Sequence, residues 1–537
     1  MFVNWFVTSS RKYPQRPAVE VNNVQMTYKD LALLASKIAK VIQKQHIENS
    51  PIGLLTYRSF ISYGGVLGIM YSKNIYLPLN PYFPPARTRK MIQLVNCKVL
   101  IVDHACMEYF FKLLPDLQEP MIIIFPDLKE VNGKYSDIKH HFIFSNEIEK
   151  VKEYEVIEDI DDDAIAYLIF TSGSTGEPKI VQQTNQNVFT YLDYVAERYE
   201  LNENDRVSQT FELTFDNSIH DMFIAWKYGA CLYCIPRNYL MMPSGFIKDK
   251  QLTVWYSVPS IGLNMLRLNR LKEKSLPSLR YTLFCGEALP KNLVIHWAEA
   301  AANSTIENYY GITETTHQIS VYKWEKDTEK SEKECINDIV PIGKIFTGIK
   351  YCILDENKNR VTPGEAGELY VSGIQITKGY YNDPERTQQS YLKIPYLGNE
   401  IWFKTGDLVK ERANGNLNYL GRLDNQVQIL GNRVELQEVD SILKKAANSE
   451  MAVSLAWPVK NGVAESIMAF IAESEEKEKA KILAYCKNSL PPYMVPQDIF
   501  FIDAIPLNDN GKFDKKKLIK ILEDSNVSNS AKRLSRS

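Results

Sequence analysis

Five short apolar runs, at residues 52–55, 76–79, 99–102, 121–125 and 167–170, punctuate the first third of the chain. Strands this uniformly apolar belong inside a sheet covered on both faces, because a half-exposed strand would alternate apolar and polar side chains. Between them lie stretches of helical character. From Thr27 onward Leu31, Leu34, Ile38 and Val41 recur at helical spacing, with Thr27 and Asp30 placed as a capping box. Residues 65–71 read as a helix of small residues. Strands alternating with helices in this way argue for a largely parallel sheet of the α/β class. The chain has 537 residues, more than one hydrophobic core usually holds, so two or more domains are expected.

The texture changes along the chain. Alternating strands and helices continue to about Val321, and 323–334 reads as a charged loop or frayed helix. From about 340 to 421 short apolar runs alternate with Pro-Gly, Asn-Asp-Pro and Asn-Gly turns, the pattern of a compact β-subdomain. Residues 422–524 then read as a small α+β module: strand 426–430, helix 436–447, strands 452–457 and 467–472, and a charged helix 475–486. Residues 525–537 are polar and read as a disordered tail.

A net charge of -2 gives no global attraction to nucleic acid or to an anionic membrane. No apolar run is long enough to span a bilayer, and the N-terminal stretch lacks the basic start of a signal peptide. Eight cysteines are scattered singly except Cys231 and Cys234, a lone C-x-x-C in an apolar run that reads as a buried strand better than as a metal site. A reducing, cytoplasmic setting is expected.

The apolar run at 167–170 leads into Thr171-Ser172-Gly173-Ser174-Thr175-Gly176-Glu177-Pro178-Lys179. Glycines that expose backbone N–H groups, together with hydroxyls and a lysine, suit a polyphosphate. Glu177-Pro178 separates the last glycine from the lysine, so this is not the Walker loop. A flexible hairpin between two strands explains the composition equally well. Four further stretches carry candidate chemistry. Asp216, in Phe215-Asp216-Asn217-Ser218, either caps the apolar helix that follows or holds a substrate ammonium. Cys285-Gly286-Glu287 and Asn308-Tyr309-Tyr310-Gly311-Ile312-Thr313-Glu314 sit at strand ends, where Tyr310 could stack on a base and Glu314 could ligate Mg²⁺. Asp407 follows a tight turn, as a ribose-binding carboxylate or an ordinary turn residue would. Lys512 stands at the tip of a C-terminal turn.

Taken in order, TSGSTGEPK, FDxS, CGE, YYGITET, KTGD, GRLDNQVQILGNRVE and NGKFD closely resemble the adenylate-forming superfamily. Within it the chain is similar to the amino-acid-activating adenylation domains of nonribosomal peptide synthetases, and to stand-alone aminoacyl–carrier-protein ligases such as D-alanine–carrier-protein ligase. The resemblance implies a large N-terminal domain, 1–421, of two packed α/β sheets plus a β-rich subdomain, and a small mobile α+β C-terminal domain hinged at Asp424. It implies a reaction in two halves. Amino acid and ATP give aminoacyl-AMP and pyrophosphate, and the thiol of a separate phosphopantetheinylated carrier protein then takes the aminoacyl group.

By the same resemblance Thr171, Ser172, Gly173, Ser174, Thr175, Gly176 and Lys179 would handle the phosphates, and Thr313 would touch the α-phosphate. Glu314, with Thr175, would bind Mg²⁺. Gly286, Glu287, Asn308, Tyr309, Tyr310 and Gly311 would hold the adenine side of ATP, and Asp407 and Arg422 the ribose. Lys512 would bridge the substrate carboxylate and the α-phosphate. The Gly431-Asn432-Arg433 loop would line the pantetheine tunnel. Asp216 would pair the α-ammonium of the amino acid, while Asn217, His220, Ile261, Leu283, Cys285, Tyr309, His317 and Gln318 would line its side-chain pocket. Bulky Tyr309 makes that pocket shallow and the substrate small. Cys285 resembles the cysteine with which D-alanine-activating ligases discriminate the hand of the α-carbon. The polar His220, His317 and Gln318 suit either a polar substrate group or bonds to one another. Two positions depart from the family pattern: Ile312 stands where proline is usual, and Gln428 replaces a basic residue. No Gly-Gly-x-Ser attachment segment follows Lys512, hence the expectation of a separate carrier. Two rival readings are an acyl- or aryl-CoA ligase, against which Asp216 argues, and a non-catalytic relative, against which Lys179, Glu314, Asp407, Arg422 and Lys512 argue.

Overall fold

The computed structural model describes residues 2–130, 139–150, 161–173, 177–325, 328–460, 463–472, 478–507 and 513–534. Contacts divide the chain into two compact units, Met1–Thr171 with Lys179–Asp424, and Ser172–Pro178 with Asn425–Ser537.

Among the described residues the large unit contains three sheets. A seven-stranded sheet runs in the order His141–Ile143, Ile122–Ile124, Val99–Val102, Pro51–Leu55, Ile75–Leu79, Ile165–Thr171 and Lys179–Thr184, with every neighbouring pair parallel except the last. All five residues of Pro51–Leu55 are buried, as its uninterrupted apolar sequence requires. Thr27 caps the helix Tyr28–Gln43 by accepting the Asp30 N–H. A nine-stranded sheet has six parallel strands at its centre: Pro17–Val21, Cys231–Cys234, Arg206–Gln209, Val254–Ser257, Tyr281–Phe284 and Thr305–Gly311. Antiparallel strands close both of its edges. One apolar core joins the two sheets, holding Tyr76 and Tyr167 of the first with Leu232, Tyr256 and Leu283 of the second.

The third sheet is antiparallel, built from Lys350–Leu354, Ala366–Ser372, Tyr391–Lys393, Ile401–Glu411 and Leu417–Arg422. It occupies the stretch whose turn-rich sequence predicts a β-subdomain. Two α/β sheets and a β-rich subdomain in a large unit, beside a small α+β unit, are the architecture expected from the sequence.

Among the described residues the small unit has two sheets and three α-helices. Gln426–Ile429, Asn432–Glu435, Val459–Lys460 and Val463–Ala464 form one sheet, and Ala452–Ala456, Ile467–Ile471 and Asp498–Phe501 the other. The helices are Leu436–Ala447, Lys479–Ser489 and Lys515–Leu534. One expectation needs correction here. Asn432 and Arg433 belong to a strand and not to a loop. Leu430 and Gly431 both have positive φ (49° and 79°), the requirement of a two-residue hairpin turn, so the chain reverses one residue earlier than the sequence suggests. The last helix runs to Leu534, anchored by buried Leu518 and Leu522 and begun by Asp514, whose carboxylate accepts the Lys517 N–H.

All eight cysteines are free, seven of them buried and Cys335 half-buried. Cys231 and Cys234 lie in a fully buried strand. Among the described residues no helix is long and apolar enough to cross a membrane.

Candidate functional site

The parallel strands Val254–Ser257, Tyr281–Phe284 and Thr305–Gly311 lie side by side, with Tyr256 opposite Leu283, Leu283 opposite Glu307, and Phe284 opposite Asn308. In such a sheet ligands sit beyond the carboxyl ends of the strands. Side chains alternate along each strand, so Leu283, Glu307 and Tyr309 share one face while Asn308 and Tyr310 take the other. This alternation separates two groups of candidate residues that adjoin in sequence.

On the first face lies a buried polar cluster. Asp216 precedes the helix Asn217–Lys227 and is 7% exposed. Its backbone is already helical, and its carboxylate accepts the adjacent Asn217 N–H at 2.9 Å, unlike an ordinary N-cap, which reaches two or three residues onward. The other oxygen, Oδ2, is buried with no hydrogen-bond partner among the described residues. Burial raises the carboxyl to about 6, against the pull of the Asn217 and His317 amides. A buried carboxylate oxygen without a donor is a place for a cation.

Asn217 Oδ1 accepts from Gln318 Nε2 at 2.7 Å and from Tyr256 OH at 3.2 Å, and its Nδ2 lies 3.5 Å from Cys285 Sγ. Tyr191 OH donates to Gln318 Oε1 and meets His220 Nδ1 at 2.8 Å. The His317 ring stacks on Tyr191 with centroids 4.4 Å apart, and its Nε2 meets Tyr167 OH at 3.0 Å. Tyr309 OH donates to Glu307 at 2.8 Å and lies 2.6 Å from Tyr199 OH, and Glu307 is ion-paired with Arg198. Burial lowers His220 to about 3, lowers His317 well below the usual histidine range, and pushes the Cys285 thiol up. Both imidazoles and the thiol are therefore neutral. Ile261 sits half-buried on the helix Pro259–Arg267, whose Ser260 N–H is taken by Glu287 at 2.8 Å.

Tyr310, on the opposite strand face, belongs to a second group. Its OH donates to Asp407 Oδ2 at 2.6 Å, and Arg422 donates to Asp407 Oδ1 at 2.8 Å and to Asp424 at 2.7 and 2.8 Å. Burial works against the Arg422 charge, but Asp407 and Asp424 more than offset it. Gly406 makes this arrangement possible: its φ is +76°, and a Cβ there would fall 2.6 Å from Arg422 Nη2. Gly406→Ala is expected to cost about 1–3 kcal/mol through strain at that φ, seen as a lowered unfolding midpoint. Asn308 Nδ2 donates to the Pro341 carbonyl at 2.9 Å.

The turn after Gly311 links the two groups. A Cβ on Gly311 would lie 2.1 Å from His317 O, so only glycine lets the chain fold back this closely. Thr316 and His317 have positive φ, and Gln375 Nε2 donates to the carbonyls of Thr315, Thr316 and Gln318, which holds the turn. The turn delivers His317 and Gln318 to the first group. It also holds Glu314, fully buried, whose Oε1 accepts from Tyr380 OH at 2.9 Å. Gln183 Nε2 donates to the carbonyl of Thr313 at 3.0 Å, and Lys179 Nζ lies 5.8 Å from the Tyr380 ring centroid. Thr171 ends its strand, with Oγ1 buried and no partner found among the described residues.

Other predicted residues fall in the small unit or outside the described chain. Ser172 Oγ donates to Arg433 O at 3.1 Å and accepts the Glu435 N–H at 2.9 Å, and the Gly173 N–H donates to Glu438 at 3.3 Å. Gly431 forms the hairpin turn. Ser174, Thr175, Gly176 and Lys512 lie outside the described residues. Tyr167, Tyr191, Tyr199, Tyr256, Arg198, Glu307, Gln375 and Tyr380 complete these groups, although no sequence signal singles them out. Among the described residues no group of three or more His, Cys, Asp or Glu is placed to hold a metal.

Comparison with known proteins is consistent across the chain. Residues 6–381 match the family model described as AMP-binding enzyme, and residues 438–512 match the AMP-binding enzyme C-terminal domain. Gramicidin S synthase 1 of Brevibacillus brevis is 30% identical over 513 residues, 94% of this chain and 43% of that protein. Tyrocidine synthase 2 of Brevibacillus parabrevis is 28% identical over 525 residues, 97% of this chain and 14% of that protein. The chain thus spans less than half the length of either relative. Among solved structures, the Vibrio cholerae adenylation domain AlmE in complex with glycyl-adenosine-5'-phosphate superposes with a TM-score of 0.87 at 28% identity, over 97% of this chain and 98% of that one.

Proposed function

The chain belongs to the AMP-binding enzyme family, and from that premise we propose that it activates a small α-amino acid with ATP, forming aminoacyl-AMP and pyrophosphate, and passes the aminoacyl group to the phosphopantetheine thiol of a separate carrier protein. One observation carries the amino-acid assignment: the buried Oδ2 of Asp216, which lacks a donor among the described residues and suits an ammonium. The similarity to AlmE, whose structure holds a glycyl adenylate, supports the same reading. The carrier step rests on the ordered motifs of the sequence.

In this reading Asp216 fixes the ammonium, which turns the substrate carboxylate toward the α-phosphate. Tyr310 presents its ring to adenine, anchored at its hydroxyl by Asp407. Asp407 also accepts the ribose hydroxyls, and Arg422 keeps that carboxylate ionised and oriented. Attack on the α-phosphate builds negative charge, which needs preorganised donors and cations. Lys179, Thr313 and, by motif position, Lys512 would supply them. Glu314, a hard oxygen ligand oriented by Tyr380, fits Mg²⁺, which commonly takes one or two carboxylates and completes its shell with phosphate and water. Bound there, Mg²⁺ would neutralise phosphate charge. Asp424, at the boundary between the two units, is proposed as the hinge between half-reactions.

Amino-acid-dependent exchange of labelled pyrophosphate into ATP tests the reading. Exchange with no amino acid, in folded protein that binds ATP, would sink it, and thioester formation on free CoA without a carrier would favour the CoA-ligase alternative. A pH dependence also follows. Asp216 is protonated below about 6 in the substrate-free enzyme and then offers no charge to the ammonium. The KM for the amino acid is expected to rise about tenfold per pH unit below that point, while the KM for ATP does not follow it.

A further inference from the structure

We infer that the amino acid is glycine, selected because the enzyme fills the side-chain space of the pocket with its own hydrogen-bonded residues. The inference rests on the proposed amino-acid activation and specifies its substrate.

The side chains expected to line the space beside Asp216 are nearly all closed to water and packed on one another. Asn217 and Ile261 are half-buried. The rest of the lining is closed to water: Tyr191 and Leu283 are fully buried, and Tyr256, Cys285, Tyr309 and Gln318 are at most 3% exposed. The residues that close it hold one another. The Asn217 carboxamide, directly after the ammonium-binding aspartate, is bonded to Gln318 and Tyr256 and faces Cys285. Gln318 is held in turn by Tyr191. Tyr309 is pinned through Glu307 to Arg198 and lies against Tyr199, so retreat of its ring would break both contacts of its hydroxyl.

A substrate side chain would have to displace Asn217 from Gln318 and Tyr256, leaving buried amide and phenol groups unpaired. Such rejection is stronger than a simple shortage of space, because the displaced polar groups find no new partners. Glycine requires none of this. Alanine, with the smallest side chain, is the nearest competitor, and serine is the polar one to include, since His317 Nδ1 is buried without a hydrogen-bond partner among the described residues and could pair with a hydroxyl.

Pyrophosphate exchange with the full chain over glycine, both alanine enantiomers, serine and larger amino acids tests the inference. Glycine is expected first in kcat/KM, alanine at least about tenfold below it, and serine and larger residues about a hundredfold or more below. In Asn217→Ala, which removes the central carboxamide, the glycine-to-alanine ratio is expected to fall at least about tenfold. Alanine, serine or any larger amino acid turning over as well as glycine overturns the glycine assignment and leaves amino-acid activation standing. Exchange with no amino acid overturns the activation reading itself. A glycine preference that persists unchanged in Asn217→Ala overturns the role given to the network. The panel on the parent enzyme decides the substrate even if the variant fails to fold.

Discussion

Asp216→Asn is expected to cut amino-acid-dependent pyrophosphate exchange by about two to three orders of magnitude while leaving the protein at least as heat-stable as the parent. The activity loss follows from removing one charge of a desolvated carboxylate–ammonium pair, which typically costs about 2–5 kcal/mol. It should appear as a raised KM for the amino acid. The stability argument runs the opposite way. Burial lifts the carboxyl from 3.8 to about 6, so the folded protein holds this proton more tightly than the unfolded chain does. That difference destabilises the fold at neutral pH by up to about 3 kcal/mol and vanishes in acid, below the unfolded pKa. Asparagine is neutral at every pH and can still accept the Asn217 N–H. Thermal unfolding at pH 7.5 and pH 4 measures the effect, and the advantage of the variant should shrink in acid. A variant that exchanges as well as the parent would remove Asp216 from the substrate.

Asp407→Ala is expected to damage both stability and ATP use. The Arg422 side chain is 12% exposed and that of Asp407 only 3%, so the change leaves a buried guanidinium with Asp424 as its remaining carboxylate partner among the described residues. Breaking a buried pair from one side costs about 3 kcal/mol or more. Tyr310 loses the acceptor that fixes its ring. If Asp407 also receives the ribose, the KM for ATP should rise about a hundredfold, the loss of a charge-assisted pair of hydrogen bonds. Asp407→Asn separates these effects, because it keeps an acceptor for Arg422 while losing the charge. A lowered unfolding midpoint with an unchanged KM for ATP would reduce Asp407 to a purely structural residue.

Much of this is legible in the sequence because it depends on neighbours along the chain. The uninterrupted apolar strand at 51–55, the helix after Thr27 and the Asn-Gly turn at 414–415 each carry their own local signal. So does Asp216, although sequence leaves its two roles open; the geometry separates them, since its one capping-type bond goes to the adjacent amide and Oδ2 stays unmatched among the described residues. The tyrosines that hold the predicted pocket residues in place carry no such signal. Tyr167, Tyr191 and Tyr256 come from three separate elements and meet only through tertiary packing, where a tyrosine at an apolar position looks like any other core residue. The strand Asn432–Glu435 escapes a reading of the sequence because its turn places leucine at a positive φ, where glycine or asparagine is the usual cue.

The burial of the cysteines has a practical consequence. Cys97, Cys335, Cys352 and Cys486 are raised to about 11, and Cys106 and Cys231 to about 12, each mainly by burial. At pH 7.5 their thiolate fractions are negligible, and the thiolate is the form that reacts with alkylating dyes. With seven of the eight cysteines buried and Cys335 half-buried, the native protein is expected to react slowly with maleimides. A cysteine introduced at an exposed position in each unit would take a fluorophore against that quiet background, so the distance between the units could be followed by energy transfer through a turnover without first stripping the protein of its own thiols.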